Sequence, residues 1–567
     1  MVRQWKTAAL CLMLCAVHVY TFFFSGSTFM SDCGRWWYVL VVCVLWLSGL
    51  LLLRLRSFFI TAGVAVMPFV PVEVSSLYLN GQPVSMPFMH WIIATNRHEA
   101  AELLSSMWLL VLLTAVLWGV YVWLLTGVDN KRVHEGRVRH VGAVVLLALC
   151  CGLILMHGNK LNKTYTAPSK RVYAGIYAWS FGMHLADVFP FDVYVQTARA
   201  LKHESELDGL QQLDSFSFGV KRRTDTEKEV YLLVIGEAAR YKNFSLNGEY
   251  MRETTPLLSR QKNLLIFSSA WAQANATDRS VPLMLTRADA DHPQTAYAEK
   301  TVAGAFQEAG FKVWWLTTKQ SPIRYLRHVL PTLDHVWACP ADRKDVLDEE
   351  LITPLQAAID STSEDKKLII MQMKGSHLNY QDRYPEQFAV FRPCLERGAK
   401  QGQFDKELMT NTYDNTILYT DYVLSRFIGI LDSARVSACM VYMPDHGENL
   451  CDDERRLWVH GSYEGTEYEY HVPLLVWYSE QFAESHPEQV EAMQENRVKT
   501  VTSQVLFHSL CDMAGLQEVT DQRKSIASSM LESQQEVRVL NGKAEIRTFT
   551  PSAMTAESPT NHLLITY

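Results

Sequence analysis

Five apolar runs lie within the first 157 residues, and they limit what this chain can fold into. Each approaches the roughly 20 residues that a helix needs to cross a bilayer. The runs are Ala8–Phe24, Trp37–Leu53, Phe58–Val72, Met107–Leu125 and Val141–Met156. The third run is short and contains Pro68 and Pro71, so a re-entrant or tilted segment is an alternative there. We predict an α-helical, five-span transmembrane domain over residues 1–157.

The distribution of cations predicts the orientation of these spans. Lys and Arg are concentrated before the first run, between the second and third, and between the fourth and fifth. These cations are Arg3, Lys6, Arg54, Arg56, Lys131, Arg132, Arg137 and Arg139, whereas the opposite connections carry only Arg35 and Arg97. The positive-inside rule then places the N-terminus in the cytoplasm and everything after Met156 outside. Because further spans follow the first run, we do not interpret it as a cleavable signal peptide.

Two longer segments lie outside the predicted spans, one between the third and fourth spans and one after the fifth. The external connection, residues 73–106, contains Thr95-Asn96 and Glu99-Ala100. It is either a solvated amphipathic helix on the membrane surface or a lid that contacts a lipid headgroup. Residues 158–228 are a connector, part of which could lie along the membrane as a helix. A second domain is predicted over residues 229–567.

The exported half alternates apolar strands with helical segments. Val230–Ile235 is apolar throughout and stops at Gly236-Glu237, as expected of a strand buried on both faces. Further strands are predicted at Lys312–Thr317, Lys367–Met373, Ala438–Met443 and Val472–Tyr478, helices at Thr301–Ala309, Glu407–Leu431 and Thr502–Ala514, and edge strands at Ala544–Thr550 and His562–Tyr567. This alternation predicts an α/β doubly wound, mostly parallel sheet.

The net charge indicates which partners to expect, and the cysteine content indicates whether disulfides can form. The net charge is −7, so nothing indicates a nucleic-acid partner. Five of the 11 cysteines lie in the exported half, where disulfides can form. They are Cys339, Cys394, Cys439, Cys451 and Cys511. Because five is odd, at least one stays unpaired, and the sequence assigns no pair. Cys439 lies in an apolar strand and is expected to be a buried thiol.

Residues with metal-ligand or nucleophile chemistry follow the predicted strands. They are Glu237, Thr277, His377, the pair Asp445-His446, and His460. Taken alone, Thr277 is typical of a turn, and either single histidine is typical of a surface position. Asp445-His446 is more specific, because burying such groups is costly unless they are paired or bind a metal. The carboxyl ends of parallel strands share one edge of a sheet, where such folds bind ligands.

The residue types favour zinc. Carboxylates and imidazoles are ligands that Zn²⁺ accepts in tetrahedral geometry. A metal beside a hydroxyl lowers its pKa and makes it a nucleophile near neutral pH. The same ion can offset the charge that develops on a phosphoryl group.

The chain resembles the phosphoethanolamine transferases of Gram-negative inner membranes, within the alkaline phosphatase and sulfatase superfamily. The resemblance covers nearly the whole chain, from the spans and the Thr95-Asn96 loop onward. The matching motifs are VIGEAAR at Val234–Arg240, RETTP at Arg252–Pro256, the Thr277 loop, KGSHLNY at Lys374–Tyr380, RYP at Arg383–Pro385, TYDNTILYTDYVL at Thr412–Leu424, PDHGE at Pro444–Glu448 and VHG at Val459–Gly461. Lipid A modifiers of this family often have a cysteine beside the nucleophile loop, and none lies near Thr277. The Thr95-Asn96 loop and RETTP resemble more closely the branch that acts on lipopolysaccharide core sugars.

The resemblance implies a role for each residue of the site. It makes Thr277 the nucleophile, and it makes Glu237, Thr277, Asp445 and His446 the ligands of one Zn²⁺, with a second zinc an open question. His377 and His460 would bind the phosphoryl group or that second zinc. Thr95 and Glu99 would approach the ethanolamine headgroup, and Lys319 would help to bind phosphate.

The predicted function is therefore transfer of phosphoethanolamine from phosphatidylethanolamine to an envelope acceptor. The acceptor would be the lipopolysaccharide core, lipid A or another envelope glycan, reached through a phospho-threonine intermediate. The protein would be a multi-pass inner-membrane monomer with its catalytic domain in the periplasm. A phosphoglycerol transferase and a phosphatase or phosphodiesterase of the same superfamily are the enzymatic alternatives. A membrane scaffold with a degenerate enzyme domain is the non-catalytic one.

Overall fold

The computed structural model divides the chain into two compact units, Met1–His203 and Glu204–Tyr567. The structure describes residues 2–24, 43–44, 46–80, 84, 88–89, 92–93, 108–131, 141–145, 148, 189–207, 216–221 and 228–551, with gaps in the last range at 249, 320–321, 341–342, 344, 362–364, 398–404, 463 and 543. The predicted domain boundaries at 157 and 228 remain predictions.

Most of the described residues of the first unit are helical. Its helices are α1 (Val2–Phe24), α2 (Leu55–Val66), α3 (Val70–Asn80), α4 (Trp108–Leu125) and the first part of α5 (Phe191–Leu207). Within the described residues, two helical stretches are long and apolar enough to cross a membrane, Leu55–Ser76 and Trp108–Leu125. The predicted third and fourth runs fall in these stretches. The second and fifth runs lie partly outside the described residues, so the count of five spans remains a prediction.

Helices α2 and α4 pack closely because small and aromatic residues meet between them. The Tyr121 hydroxyl donates a hydrogen bond to the Phe59 carbonyl at 2.7 Å. A side chain on Gly63 would clash with the Tyr121 ring at 2.4 Å, so glycine is needed there. The Lys6 ammonium of α1 lies 4.0 Å from the centre of the Trp123 ring. These contacts link three of the apolar helices through side chains that the hydropathy pattern alone does not distinguish.

A seven-stranded sheet forms the centre of the second unit. Its strands, in spatial order, are β2 (Leu264–Phe267), β10 (Leu474–Tyr478), β7 (Ser437–Pro444), β1 (Glu229–Gly236), β6 (Lys366–Gln372), β4 (Lys312–Thr317) and β5 (His335–Ala338). Neighbouring strands are parallel except where β10 pairs with β7 and β2. The prediction of a mostly parallel sheet is confirmed, with β10 as the antiparallel exception.

Strand β1 is buried on both faces, as its continuous apolar run predicts. Tyr231, Leu233 and Ile235 belong to the core on one face, and Val230, Leu232 and Val234 belong to the core on the other. Burying a large apolar side chain stabilises a fold by about 1.5–3 kcal/mol. Because side chains alternate along a strand, β1 contributes apolar side chains to the cores on both faces of the sheet. This two-sided burial holds β1 at the centre of the sheet.

Helices cover both faces of this sheet. They are α6 (Thr277–Leu285), α7 (Val302–Glu308), α8 (Arg324–Val329), α9 (Ile352–Asp360), α10 (Lys406–Ala434), α11 (Glu467–Tyr470), α12 (Glu480–Ser485), α13 (Pro487–Asn496) and α14 (Val505–Met513). The three predicted helices correspond to α7, α10 and α14. Three two-stranded sheets complete the unit and pair β3 (Ser269–Trp271) with β11 (Thr500–Thr502), β8 (Asn449–Leu450) with β9 (Trp458–Val459), and β12 (Val537–Leu540) with β13 (Ile546–Phe549). The predicted edge strand at 544–550 corresponds to β13, and the one at 562–567 lies outside the described residues.

Candidate metal and nucleophile site

Three ligand-type side chains meet where β1 and β7 end. The register pairs Gly236 with Pro444, so Glu237 lies beside Asp445 and His446 although they are far apart in the sequence. The His446 Nε2 atom lies 3.5 Å from Glu237 Oε1 and 3.6 Å from Asp445 Oδ2. All three side chains are fully buried. Their ligand atoms lie within 4.8 Å of one another, close enough to hold one metal ion.

Hydrogen bonds orient Asp445 and His446 and leave one ligand atom of each facing the cluster. Asp445 Oδ1 accepts from the backbone N–H groups of Ala238 at 3.3 Å and His446 at 2.9 Å. Asp445 Oδ2 is buried and has no hydrogen-bond partner. The His446 Nδ1 atom lies 2.9 Å from the Gly447 carbonyl, so Nδ1 carries a proton and Nε2 faces the two carboxylates. A buried carboxylate oxygen without a hydrogen-bond donor and an imidazole nitrogen that faces two carboxylates are a donor set that fits a zinc ion.

Thr277 brings a hydroxyl to the same place from another part of the chain. It is the first residue of α6, and its Oγ1 atom lies 3.1 Å from Glu237 Oε1 and 3.3 Å from His446 Nε2. Ala276 precedes it in an extended conformation. The hydroxyl is therefore held at a helix N-terminus, where partial positive charge favours an anionic oxygen. The structure thus brings together all four predicted residues of the metal and nucleophile site.

The charges of the cluster depend on one another. Burial raises the pKa of Asp445, and the nearby Glu237 carboxylate raises it further, to about 6. Burial opposes the charge on His446, but Asp445 and Glu237 outweigh it and raise the pKa of its imidazole to about 10. Burial also raises the pKa of Glu237, but Lys319 and His446 reverse this and hold it well below its ordinary value. The Lys319 ammonium and the protonated His446 imidazole thus offset the two carboxylates, and a metal ion bound there would displace the His446 proton.

Lys319 and His377 lie just after the ends of β4 and β6, the next two strands of the sheet on one side of β1. Lys319 follows β4, and its ammonium forms an ion pair with Glu237 Oε2. His377 follows β6 in a loop that approaches Glu237 closely. A side chain on Gly375, whose φ is +50°, would lie 2.7 Å from the Glu237 carbonyl, so this turn requires glycine. Burial lowers the pKa of His377 to about 3, so this imidazole is neutral at neutral pH.

His460 is the third histidine of the site and lies beside His446 and His377. Its ring centre lies 4.0 Å from that of His446 and 6.1 Å from that of His377. Its Nδ1 atom lies 2.7 Å from Glu448 Oε2. Because the carboxylate accepts, the Nδ1 atom carries the proton, and the Nε2 atom is available to a ligand. His446, Glu448 and His460 form a second group whose ligand atoms are close enough for a metal ion.

Sequence reasoning did not assign roles to Glu448 and Tyr380. Glu448 is fully buried and accepts a hydrogen bond from the Tyr380 hydroxyl at 2.6 Å on one oxygen and faces His460 with the other. The motif Asp-His-Gly-Glu contained a signal for Glu448, because it places an acid two residues after the candidate ligand His446. No local signal pointed to Tyr380, since only the fold brings it to Glu448.

Some predicted residues are not tested by the described structure. Thr95 and Glu99, the predicted headgroup contacts, lie outside the described residues.

The five cysteines of the second unit are free thiols: Cys339, Cys394, Cys439, Cys451 and Cys511. Cys439 is fully buried.

Comparison with known proteins agrees with this architecture. Residues 229–516, half of the chain, match the family model described as Sulfatase. The chain belongs to the sulfatase family. The match begins at the first residue of β1 and includes every side chain of the cluster described above.

Two curated relatives of this sulfatase-family chain are phosphoethanolamine transferases. The phosphoethanolamine transferase EptA of Helicobacter pylori is 32% identical over 289 residues, which cover 49% of this chain and 52% of the relative. The phosphoethanolamine transferase EptC of Escherichia coli is 25% identical over 525 residues, which cover 88% and 86%. The chain spans about half the length of the first curated relatives it matches.

Two solved structures are also similar. The C-terminal periplasmic domain of EptC from Escherichia coli, in complex with Zn, has a TM-score of 0.53 and 25% identity, covering 58% of this chain and 94% of that one. The integral membrane lipooligosaccharide phosphoethanolamine transferase A from Neisseria meningitidis has a TM-score of 0.63 and 19% identity, covering 83% and 89%. The second likeness concerns the fold alone.

Proposed function

We propose that this chain is a zinc-dependent phosphoethanolamine transferase of the bacterial inner membrane. It would use Thr277 as nucleophile and phosphatidylethanolamine as donor. The observation that carries this proposal is the position of Thr277 Oγ1, within 3.3 Å of both Glu237 and His446 at the ends of adjacent strands. The names of the relatives support phosphoethanolamine as the transferred group.

Glu237, Asp445 and His446, together with Thr277, would hold one zinc ion. When bound, zinc lowers the pKa of a neighbouring hydroxyl and stabilises negative charge on a phosphoryl group. The buried Asp445 Oδ2 atom, which has no donor, supports this assignment. The Zn complex of the EptC domain supports the same metal. Whether His446, Glu448 and His460 hold a second ion is left to measurement of metal stoichiometry.

In the first half-reaction, Thr277 Oγ1 attacks phosphorus and the bond to the diacylglycerol oxygen breaks. Glu237 lies in position to accept the hydroxyl proton, since its Oε1 atom is 3.1 Å from Oγ1. His377 is neutral at neutral pH and suits hydrogen bonding to the phosphoryl oxygens. Glu448 holds the Nδ1 atom of His460, and a proton carried on the His460 Nε2 atom would pass to the leaving oxygen.

In the second half-reaction, an acceptor hydroxyl or phosphate attacks phosphorus, the bond from phosphorus to Thr277 Oγ1 breaks, and Oγ1 takes back the proton that Glu237 accepted. A hydroxyl acceptor gives its own proton to His460, which restores the imidazole. We propose lipopolysaccharide or another envelope glycan as the acceptor, and a periplasmic location for the catalytic unit.

Thr95, Glu99 and Lys319 are proposed contacts of the donor headgroup. The apolar helices Leu55–Ser76 and Trp108–Leu125 support a membrane location. Attachment to the membrane that holds the donor raises the donor's effective concentration. We propose that the protein acts as a monomer.

The test is intact mass spectrometry of the full-length protein after incubation with phosphatidylethanolamine vesicles. We expect a phosphoethanolamine adduct on the wild type and on the control Thr295→Ala, and none on Thr277→Ala. Release of free phosphoethanolamine without an adduct would indicate a hydrolase. Neither product, from protein shown to contain zinc, would exclude this donor and favour a phosphoglycerol transferase.

A further inference from the structure

The turn that follows β1 has an unusual backbone conformation. Ala238, directly after the ligand Glu237, has a φ of +53°. Glycine adopts this left-handed conformation without strain, whereas other L-residues are strained in it. A strained residue next to a ligand persists only where neighbouring groups hold it.

The Ala238 turn contacts both carboxylate ligands. Glu237 is part of the turn, and the Ala238 N–H group donates to Asp445 Oδ1 at 3.3 Å. That bond helps to direct the other oxygen of Asp445, which has no partner, toward the cluster. Relaxation of Ala238 to a right-handed or extended conformation would rotate this N–H group away. The orientation of Glu237 and Asp445 therefore depends on one backbone conformation.

A single buried tyrosine contacts this turn on its other side. Tyr413 of α10 is fully buried, and its hydroxyl donates to the Ala238 carbonyl at 2.6 Å. The same hydroxyl accepts from the Arg240 N–H group at 3.0 Å. The Tyr413 ring packs edge-on against Tyr380, with ring centres 5.2 Å apart. The hydroxyl therefore joins the two ends of the turn from a position fixed by packing.

We propose that Tyr413 is a positioning residue that holds the turn at Ala238 in its left-handed conformation and so presents Glu237 and Asp445 to zinc. Tyr413 acts through the backbone and does not touch the reacting groups. The inference rests on the zinc site of the proposed function, and it is independent of the donor and the acceptor.

The experiment measures the zinc Kd of the full-length protein in detergent by competition with a chelator. For Tyr413→Phe, which removes only the hydroxyl, we expect a Kd raised about tenfold, as for other groups that orient metal ligands. Tyr231→Phe is the matched control. Its hydroxyl is equally buried at the opposite end of β1, 2.8 Å from the Met513 carbonyl and 3.1 Å from Glu229 Oε2. The zinc Kd of this variant should stay within about twofold of wild type.

A rescue variant separates positioning from general destabilisation. Glycine adopts the left-handed conformation without strain, so Tyr413→Phe combined with Ala238→Gly should recover most of the zinc affinity. A Kd for Tyr413→Phe equal to wild type, or a double variant as weak as Tyr413→Phe alone, would overturn the inference. A wild type that binds zinc but forms no phosphoethanolamine adduct would contradict the proposed function and leave this inference standing.

Discussion

In two buried carboxylates of the site, Asp445 and Glu448, the two oxygen atoms make different contacts. Asp445 accepts backbone hydrogen bonds on Oδ1 and keeps Oδ2 for the cluster. Glu448 accepts from Tyr380 on Oε1 and faces His460 with Oε2. Such groups fix the orientation and tautomer of a neighbouring imidazole, and their loss typically costs about 10–100-fold in metal affinity or activity.

Glu448 therefore gives a test at the residue scale. Glu448→Ala should lower kcat/KM for transfer about 10–100-fold, because His460 Nδ1 loses its acceptor. Glu448→Gln should lose less, since an amide oxygen can still accept from Nδ1. Glu464→Ala, which removes an acid that pairs with Arg455 in the neighbouring loop, is the control. Steady-state kinetics that show equal rates for Glu448→Ala and this control would contradict the role.

At the scale of elements, α10 supports the site with buried polar side chains. Besides Tyr413, it carries Asp414, which accepts from Asn243 at 2.6 Å and pairs with Arg252. About two helical turns after Asp414, Asp421 accepts hydrogen bonds from the backbone N–H groups of Leu257 at 2.9 Å and Leu258 at 2.7 Å. The helix thus fixes two loops that follow β1. Such contacts are costly to leave unmade inside a protein.

Asp421 gives a pH-dependent test of this helix. Burial raises its pKa to about 6, although the two backbone donors oppose the shift. The folded state therefore binds a proton that the unfolded state, with a pKa of about 3.9, has already released. Stability falls as pH rises between these values, by about 2–3 kcal/mol in total.

Asp421→Asn cannot titrate, so it should lack this part of the pH dependence. Thermal unfolding of the two proteins would be compared at pH 4 and pH 6.5. We expect the variant to gain stability relative to wild type as pH rises over this window. A difference between the two proteins that does not change with pH would show that Asp421 stays ionised in the fold.

At the scale of the whole molecule, the site joins segments that are distant in the sequence. Ala238 and Asp445 are 207 positions apart, and Thr277 and His446 are 169 apart. A metal that binds only the folded state stabilises it by about 2.7 kcal/mol when its free concentration is one hundred times Kd. The stability of the second unit is therefore expected to depend on zinc.

Removal of zinc by a chelator should lower the unfolding temperature of the full-length protein, and added zinc should restore it. Asp445→Asn should show a much smaller shift, because it removes a carboxylate ligand. Asp432→Asn, at an exposed position near the end of α10, should respond like wild type. Equal shifts in the two variants would mean that the stabilising metal binds elsewhere.

The positions of the buried strands β1, β4, β6, β7 and β10, and of the candidate metal ligands that follow β1 and β7, were predictable from the sequence because they are local patterns. Val230–Ile235 and Ala438–Met443 are apolar throughout, which predicts strands buried on both faces. The residues after them, Glu237 and Asp445-His446, are costly to bury without a partner. Each of these signals lies within about a dozen residues of chain. The apolar runs near the N-terminus are signals of the same kind.

The tertiary structure decided what these local segments contact. The register of β1 against β7 puts Glu237 beside Asp445, and it depends on packing across both faces of the sheet. The antiparallel direction of β10, the bond from Tyr380 to Glu448 and the bond from Tyr413 to Ala238 join positions far apart in the chain. No periodicity or spacing encodes such pairs, because a tyrosine in a helix or loop is locally the same whether its hydroxyl meets a carboxylate, a carbonyl or solvent.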